Sequence, residues 1–132
     1  VNKNDTSGTS VFSGRYFISP AGWHALQIGR ESFLAGIELG VHYYYLKRSN
    51  FIDADVYFHC VGMCKAAQKG SYGRHFARLA GELREWIQGL YESAEECEED
   101  TNANDLGLSA EKKDSCRLLC HELRPEGLPW FY

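Results

Sequence analysis

Two cysteine pairs with the same spacing constrain this chain more than any other feature. Cys60 and Cys64 form one pair, Cys116 and Cys120 form the other, and the members of each pair are four residues apart. On a helix, residues four apart share a face. Two such helices packed antiparallel would bring Cys60 opposite Cys120 and Cys64 opposite Cys116. The spacing therefore predicts two disulfide bonds that crosslink two helices.

These disulfides would affect both stability and location. Each closes a loop of about 50 to 60 residues, for which the chain-entropy relation gives on the order of 4 kcal/mol. Disulfides persist in oxidising compartments, so we expect a secreted protein. The fifth cysteine, Cys97, is expected to stay unpaired. The only methionine is Met63, so we also expect the chain to be released from a longer protein.

A zinc site is the alternative use of the four cysteines. Thiolates from two helices can surround Zn²⁺, and His59 and His121 lie next to the outer cysteines. Structural zinc sites, however, favour Cys-x2-Cys pairs in loops. We therefore favour the disulfides and expect no bound metal and no cofactor.

The remaining sequence is typical of one small, mainly α-helical domain. Hydrophobic residues make up 44% of the 132 residues and the net charge is −4, as in a globular chain that builds one core. Residues 1–14 are rich in Asn, Ser, Thr and Gly and are predicted to be a flexible linker or arm. Residues 15–132 are predicted to form a single-domain bundle of about four helices. These are expected over residues 23–47, 54–69, 73–91 and 109–123.

Four local predictions complete this fold. Residues 41–46 are rich in aromatic and β-branched side chains, so a strand is an alternative there. The acidic stretch 92–108 is expected to be an exposed helix end and loop. The aromatic tail 127–132 is expected to pack back on the body. The apolar face of the third helix is expected to be buried with Trp86 at its centre, so Trp86→Ala should cost about 3 to 5 kcal/mol.

Charge and hydropathy exclude some functions. No dense basic stripe is present, and Arg74, Arg78 and Arg84 alternate with Glu82 and Glu85. Such a stripe is the usual signature of phosphate binding, so no nucleic-acid partner is expected. No segment reaches the apolar length that a membrane-spanning helix needs.

Three polar residues are the candidate catalytic site. Glu38 and His42 are four apart on the first helix, and His59 lies on the cysteine-bearing second helix. A carboxylate that orients an imidazole is a common acid and base arrangement. Gly36 and Gly40 would let the second helix approach the first and bring His59 beside His42. The alternative is that Glu38 and His42 form only a local pair on the helix.

A calcium loop is a weaker alternative in the acidic stretch. Asp100, Asn102, Asn104 and Glu111 occupy positions 1, 3, 5 and 12 of an EF-hand loop. Position 6, where the turn needs glycine, holds Asp105. A polar loop before a helix explains the same residues.

The second half of the chain resembles the variable C-terminal extensions of bacterial RHS-repeat proteins. The resemblance covers roughly residues 42–132. It rests on the stretch Asp55-Val56-Tyr57-Phe58-His59-Cys60, on Cys64, Ala66, Ala67, Gly70, Asn104, Gly107, Cys116 and Cys120, and on the ending Arg124-Pro125 and Gly127-Leu128-Pro129.

The resemblance implies an antibacterial effector, or toxin, released from a larger RHS-type protein that is exported by type VI secretion. Its expected partners are the parent RHS shell before release and a cognate immunity protein. Its expected location is the periplasm or envelope of a target bacterium, where Glu38, His42 and His59 would act in a cell-wall hydrolase. The alternatives are a membrane-disrupting toxin and a non-catalytic protein-binding module. The binding module would present exposed aromatic side chains, namely Trp23, Trp130, Phe131 and Tyr132.

Overall fold

The computed structural model describes residues 18–132, and these residues form a helical domain. The prediction of a mainly α fold with about four main helices is confirmed. The helices are α1 (Pro20–Ser49), α2 (Asp55–Ala67), α3 (Ser71–Gln88), α4 (Ala94–Leu108), a one-turn α5 (Cys116–Leu119) and a 3₁₀ helix (His121–Leu123). The predicted linker at residues 1–14 lies outside the described residues, and the boundary at residue 15 stays a prediction.

Capping residues define both ends of the long helix α1. At its start the Ser19 hydroxyl accepts a hydrogen bond from the Gly22 backbone N–H, and Pro20 occupies the first turn, where its missing N–H costs nothing. At its end Asn50 adopts a left-handed conformation with φ of 45°. The strand alternative for residues 41–46 is wrong, because these residues continue α1.

Helix α2 lies at the centre of the domain and packs against α1, α3 and α4. Nearly every residue from Tyr57 to Ala67 is buried. The α4 backbone comes close at Gly107, where a methyl group would lie 2.8 Å from Met63 Cβ.

The close approach between α1 and α2 occurs at Gly62 of α2. A Cβ at this position would lie 3.1 Å from His42 Cβ. The expected approach at Gly36 and Gly40 is wrong. Among residues 18–132, a Cβ on Gly40 would have no neighbour within 4 Å, and one on Gly36 would meet only the Phe76 ring of α3.

The acidic stretch forms α4, so the predicted loop at residues 92–108 is wrong. A capping box explains the helix start: the Ser93 hydroxyl accepts from the Glu96 N–H, and the Glu96 carboxylate accepts from the Ser93 N–H. Most acidic side chains lie on the exposed side. The buried side carries mostly small or polar residues, namely Asp100, Ala103, Asn104, Gly107 and Leu108.

Both predicted disulfides are confirmed, as Cys60–Cys120 and Cys64–Cys116, with Cα atoms 5.9 Å and 5.7 Å apart. The helix predicted over residues 109–123 is wrong. Only one α-helical turn forms there, with Ser115 as its N-cap, followed by the 3₁₀ helix. The pairing survives because one turn is enough to place two residues four apart on one face. Among residues 18–132 the remaining cysteine, Cys97, is unpaired.

The tail packs back on the body, as predicted. The Tyr132 ring lies against Tyr45 and Phe58, with ring centroids 5.5 Å and 5.6 Å away. The Arg124 guanidinium donates hydrogen bonds to the backbone carbonyls of Leu128 and Pro129 at 3.1 Å and 2.8 Å. The same guanidinium donates to the Tyr57 hydroxyl of α2 at 3.0 Å, which connects the tail to α2.

Helix α3 has the opposite orientation from the one predicted. Its buried residues are the small Gly73, Ala77 and Gly81, whereas Trp86 is 69% exposed. Small residues let α3 lie close to α2, and the large apolar side chains then point outward. The prediction of a buried third-helix face is therefore wrong.

Candidate functional site

Two exposed apolar stripes run along α1 and α3. In each helix the side chains recur at the three- and four-residue spacing that places them on one face. We call the two stripes together the apolar surface. Its members are each at least 39% exposed and are Trp23, Leu26, Phe33 and Ile37 on α1, with Phe76, Leu79, Leu83 and Trp86 on α3 and Leu90 just beyond its end.

The two stripes adjoin each other. Helices α1 and α3 pack together, and a Cβ on Gly36 would lie 3.6 Å from the Phe76 ring. At 1.5 Å per residue, α1 is about 45 Å long and α3 about 27 Å. Exposed apolar side chains grouped on two packed helices differ from the single exposed hydrophobic residues that any protein carries, and such groups mark sites of interaction.

Basic side chains accompany the aromatic residues of these helices. The exposed Arg30 lies between Leu26 and Phe33 along α1. Near the end of α1, Lys47 Nζ lies 5.4 Å from the centre of the Tyr43 ring. Long basic side chains of this kind can keep their apolar stems on a hydrophobic surface while the charge stays in water.

The predicted catalytic residues are only partly brought together. His42 and His59 both line a cavity of about 300 Å³ between α1, α2, α3 and α4. Glu38 does not line it, because its carboxylate pairs with Lys69 Nζ at 2.9 Å. His24 and His75 are also absent from its lining. A catalytic role for the three residues is untested and stays a prediction.

His42 is held by the backbone and not by a carboxylate. Its Nδ1–H donates to the Glu38 carbonyl oxygen at 2.8 Å, and its side chain is buried against α2. Burial lowers the pKa of His42 below its usual value of 6.5, so the ring is neutral near neutral pH.

Several polar side chains surround His59. The His59 ring is buried, and its Nδ1 lies 3.2 Å from the Asn104 side-chain oxygen. Two acidic residues also lie near the ring, Glu85 of α3 and Asp100 of α4. One donor atom from each of His59, Glu85 and Asp100 lies within 4.8 Å of the other two. We call these three residues the buried cluster.

The environment of the buried cluster favours neutral side chains. Burial, reinforced by the Arg84 charge, lowers the pKa of His59 to about 4. Burial, followed by repulsion from Asp100, raises the pKa of Glu85 to about 7. Burial also raises the pKa of Asp100. Each shift reflects the cost of holding a charge away from water.

Glu85 was missed from the sequence, since it was interpreted only as a charge that interrupts a basic stripe, and Asp100 was considered only as part of the exposed acidic stretch and as a ligand in the calcium-loop alternative. A signal was present on α4, where Asp100 and Asn104 are four residues apart beside the small Ala103 and Gly107. The calcium-loop alternative is wrong, because residues 100–108 are helical and do not form a loop.

Comparison with known proteins identifies the family. The family model described as serum amyloid A protein matches residues 26–132. Serum amyloid A-2 protein of Oryctolagus cuniculus is 35% identical over 113 residues, which cover 85% of each chain. Serum amyloid A-1 protein of Homo sapiens is 33% identical over 103 residues, which cover 77% of this chain and 79% of that protein. Serum amyloid A-4 protein of Sus scrofa is 30% identical over 122 residues, 87% of this chain and 88% of that protein.

These matches overturn the resemblance to RHS-repeat proteins. The residues that suggested it lie within the matched range and have roles in this fold, such as Gly107 against α2 and Arg124 in the tail. The expectations that depended on this resemblance are therefore wrong. They are the antibacterial toxin function, the type VI export, the immunity protein, the RHS shell and the target-cell envelope. The coarser expectation, a secreted protein, is confirmed. The chain belongs to the serum amyloid A family.

Proposed function

We propose that this protein is a secreted, apolipoprotein-like protein that binds phospholipid surfaces through α1 and α3. The observation that carries the proposal is the apolar surface. A folded domain that leaves Phe33, Leu79 and Trp86 more than 60% exposed on two adjoining helices has a strong driving force to cover them.

The form of the surface favours lipid as the partner. Helices that lie in a lipid interface have a polar face, an apolar face rich in Trp, Phe and Leu, and low overall hydrophobicity. Helix α3 meets this description, with Leu79, Leu83 and Trp86 on one face and charged residues such as Arg78 and Glu82 on others. Two adjoining helices with this pattern present a broad surface, and not a narrow groove for one peptide.

The disulfides support the same function. They link α2 to the segment around α5, on the side of the domain that does not carry the apolar surface. The core is therefore held covalently while α1 and α3 present their exposed faces. Among the helices within residues 18–132, none is long and apolar enough to cross a membrane.

The test is binding to phosphatidylcholine vesicles, measured by co-flotation. We expect the unaltered protein to bind. The double variant Leu79→Asp and Leu83→Asp should weaken binding by about tenfold or more, because burial of a leucine side chain is worth about 1.5 to 3 kcal/mol.

Leu118→Asp is the matched control. Leu118 is 76% exposed and lies on α5, away from the apolar surface, so its variant should bind like the unaltered protein. Equal loss of binding in the control would contradict the proposal. The proposal would also be contradicted if the protein did not bind vesicles and instead self-associated through Leu79 and Leu83. Self-association would be seen as an oligomer mass for the unaltered protein and a monomer mass for the double variant.

A further inference from the structure

The buried cluster contains polar atoms that find no partner in the described part of the chain. His59 is 8% exposed, and within residues 18–132 its Nε2 has no hydrogen-bond partner. Both carboxyl oxygens of Glu85 are buried and also lack a partner among these residues. Buried polar atoms are normally satisfied, because removal from water without a new partner is costly. Something with positive charge or hydrogen-bonding capacity would relieve all three atoms at once.

The orientation of His59 suits a metal ligand. Its Nδ1–H donates to the Asn104 oxygen, so the lone pair of the neutral ring is on Nε2. Metal-binding histidines usually have such a partner on the other ring nitrogen, which fixes the tautomer and the ring orientation. One ring nitrogen of His59 lies within 4.8 Å of a carboxyl oxygen of Glu85 and of one of Asp100. Nε2 is the ring nitrogen that has no hydrogen-bond partner within residues 18–132, so it is the one available to an ion.

We propose that His59, Glu85 and Asp100 form a binding site for a divalent transition-metal ion of the Zn²⁺ class. Each ligand comes from a different helix, α2, α3 and α4 respectively, so the ion would bridge the three helices. The proposal does not depend on the proposed lipid function.

The proposed ligand atoms, one imidazole nitrogen and the oxygens of two carboxyl groups, indicate the class of ion. Zn²⁺ binds imidazole nitrogen and carboxylate oxygen, and sites with three protein ligands leave a position for water. Ca²⁺ requires six to eight oxygen ligands, which this cluster does not supply. Two carboxylates also balance the charge of a divalent ion, whose presence would remove the repulsion between Glu85 and Asp100.

One neighbouring charge opposes the ion. The Arg84 guanidinium is close enough to influence the pKa of all three side chains. Its charge reduces the attraction of the site for a cation, so we expect specific but not extreme affinity.

The experiment is a Zn²⁺ titration by calorimetry, with thermal unfolding measured in parallel. It is done in the Cys97→Ser background, because the free thiol of Cys97 is a competing zinc ligand and the other cysteines are in disulfides. We expect one Zn²⁺ per chain and a rise in Tm on binding. Ca²⁺ should produce neither effect.

His59→Gln and Glu85→Gln should each weaken Zn²⁺ binding by about tenfold or more, since each removes one of three protein ligands. Glu85→Gln replaces a carboxyl group whose charged form is disfavoured by burial with a neutral side chain of similar shape, so it should stay folded if His59→Gln does not. His75→Gln, which alters an exposed histidine of α3, is the control and should bind normally. Absence of a stoichiometric Zn²⁺ site in the folded protein would overturn the proposal. Full binding by the folded Glu85→Gln variant, or loss in the His75→Gln control, would overturn it as well.

Discussion

His42 shows how one buried side chain can serve packing at a helix crossing. Its Cβ lies where α1 meets Gly62 of α2, and its ring nitrogen is satisfied within α1 by the Glu38 carbonyl. The ring is therefore part of the interface between the two helices. Because its charged form is disfavoured by burial, His42 also makes the stability of this interface sensitive to pH.

The pH prediction follows from the sign of that shift. The folded-state pKa of His42 lies below 6.5, so at lower pH the unfolded chain takes up a proton that the folded chain resists. Stability from His42 is present above 6.5 and falls as pH falls through that value. The nearby Glu38 and Lys65 charges act on the ring in opposite directions and are smaller influences than burial.

The measurement is urea unfolding of the unaltered protein and of His42→Gln at about pH 7.5 and pH 5. We expect the unaltered protein to lose more stability than the variant between these conditions. Other titrating groups are common to both proteins and cancel in the comparison. His75→Gln is the control and should lose as much stability as the unaltered protein. Equal losses of unfolding free energy in the unaltered protein and both variants would show that His42 does not resist protonation.

At the scale of helices, packing was predicted less well than helix positions. The spacing of apolar residues indicated α1 and α3 correctly. It did not indicate which side faces the core, because the buried side of α3 consists of the small Ala77 and Gly81, which contribute little to an apolar pattern. Helix α4 was missed for a related reason: its acidic side chains dominate the sequence, whereas its Ser93 cap and small buried residues do not.

The candidate site was predictable only in part. The cysteine spacing alone predicted both disulfides, since the rule that residues four apart share a face holds even on the single turn of α5. His42 and His59 were expected to meet, and they line one cavity. Glu85 and Asp100 come to His59 from helices whose orientation was not predictable, so no local spacing could reveal the buried cluster.

Trp86→Ala separates the observed orientation of α3 from the predicted one. Trp86 is 69% exposed, so its truncation should change the free energy of unfolding by no more than about 1 kcal/mol. Phe58→Ala is the comparison: Phe58 is 3% exposed, and its truncation should cost about 3 to 5 kcal/mol. Chemical denaturation measures both. Similar large losses would mean that the apolar face of α3 belongs to the core.

The whole molecule combines a crosslinked centre with an uncovered side. Helix α2, the two disulfides and the tail held by Arg124 make up one part of the domain. Helices α1 and α3 cover α2 with one face each and leave the other apolar face to solvent. This division lets the domain remain folded while it presents the apolar surface, which we propose binds lipid.

The three tryptophans allow a test of lipid binding through α1 and α3. Trp23 and Trp86 lie on the apolar surface, at 52% and 69% exposure, whereas Trp130 is 82% exposed in the tail. Trp130 lies beside α5, where Arg117 donates to its carbonyl oxygen at 2.9 Å. Single-tryptophan variants, with the other two changed to Phe, report on each place separately.

The measurement is quenching of tryptophan fluorescence by vesicles of brominated phosphatidylcholine, in which bromine within the acyl region quenches only residues that enter it. Lipid binding through α1 and α3 predicts strong quenching of Trp23 and Trp86 and little quenching of Trp130. Quenching of Trp130 equal to that of the other two, or vesicle-bound protein in which neither Trp23 nor Trp86 is quenched, would contradict lipid binding through α1 and α3.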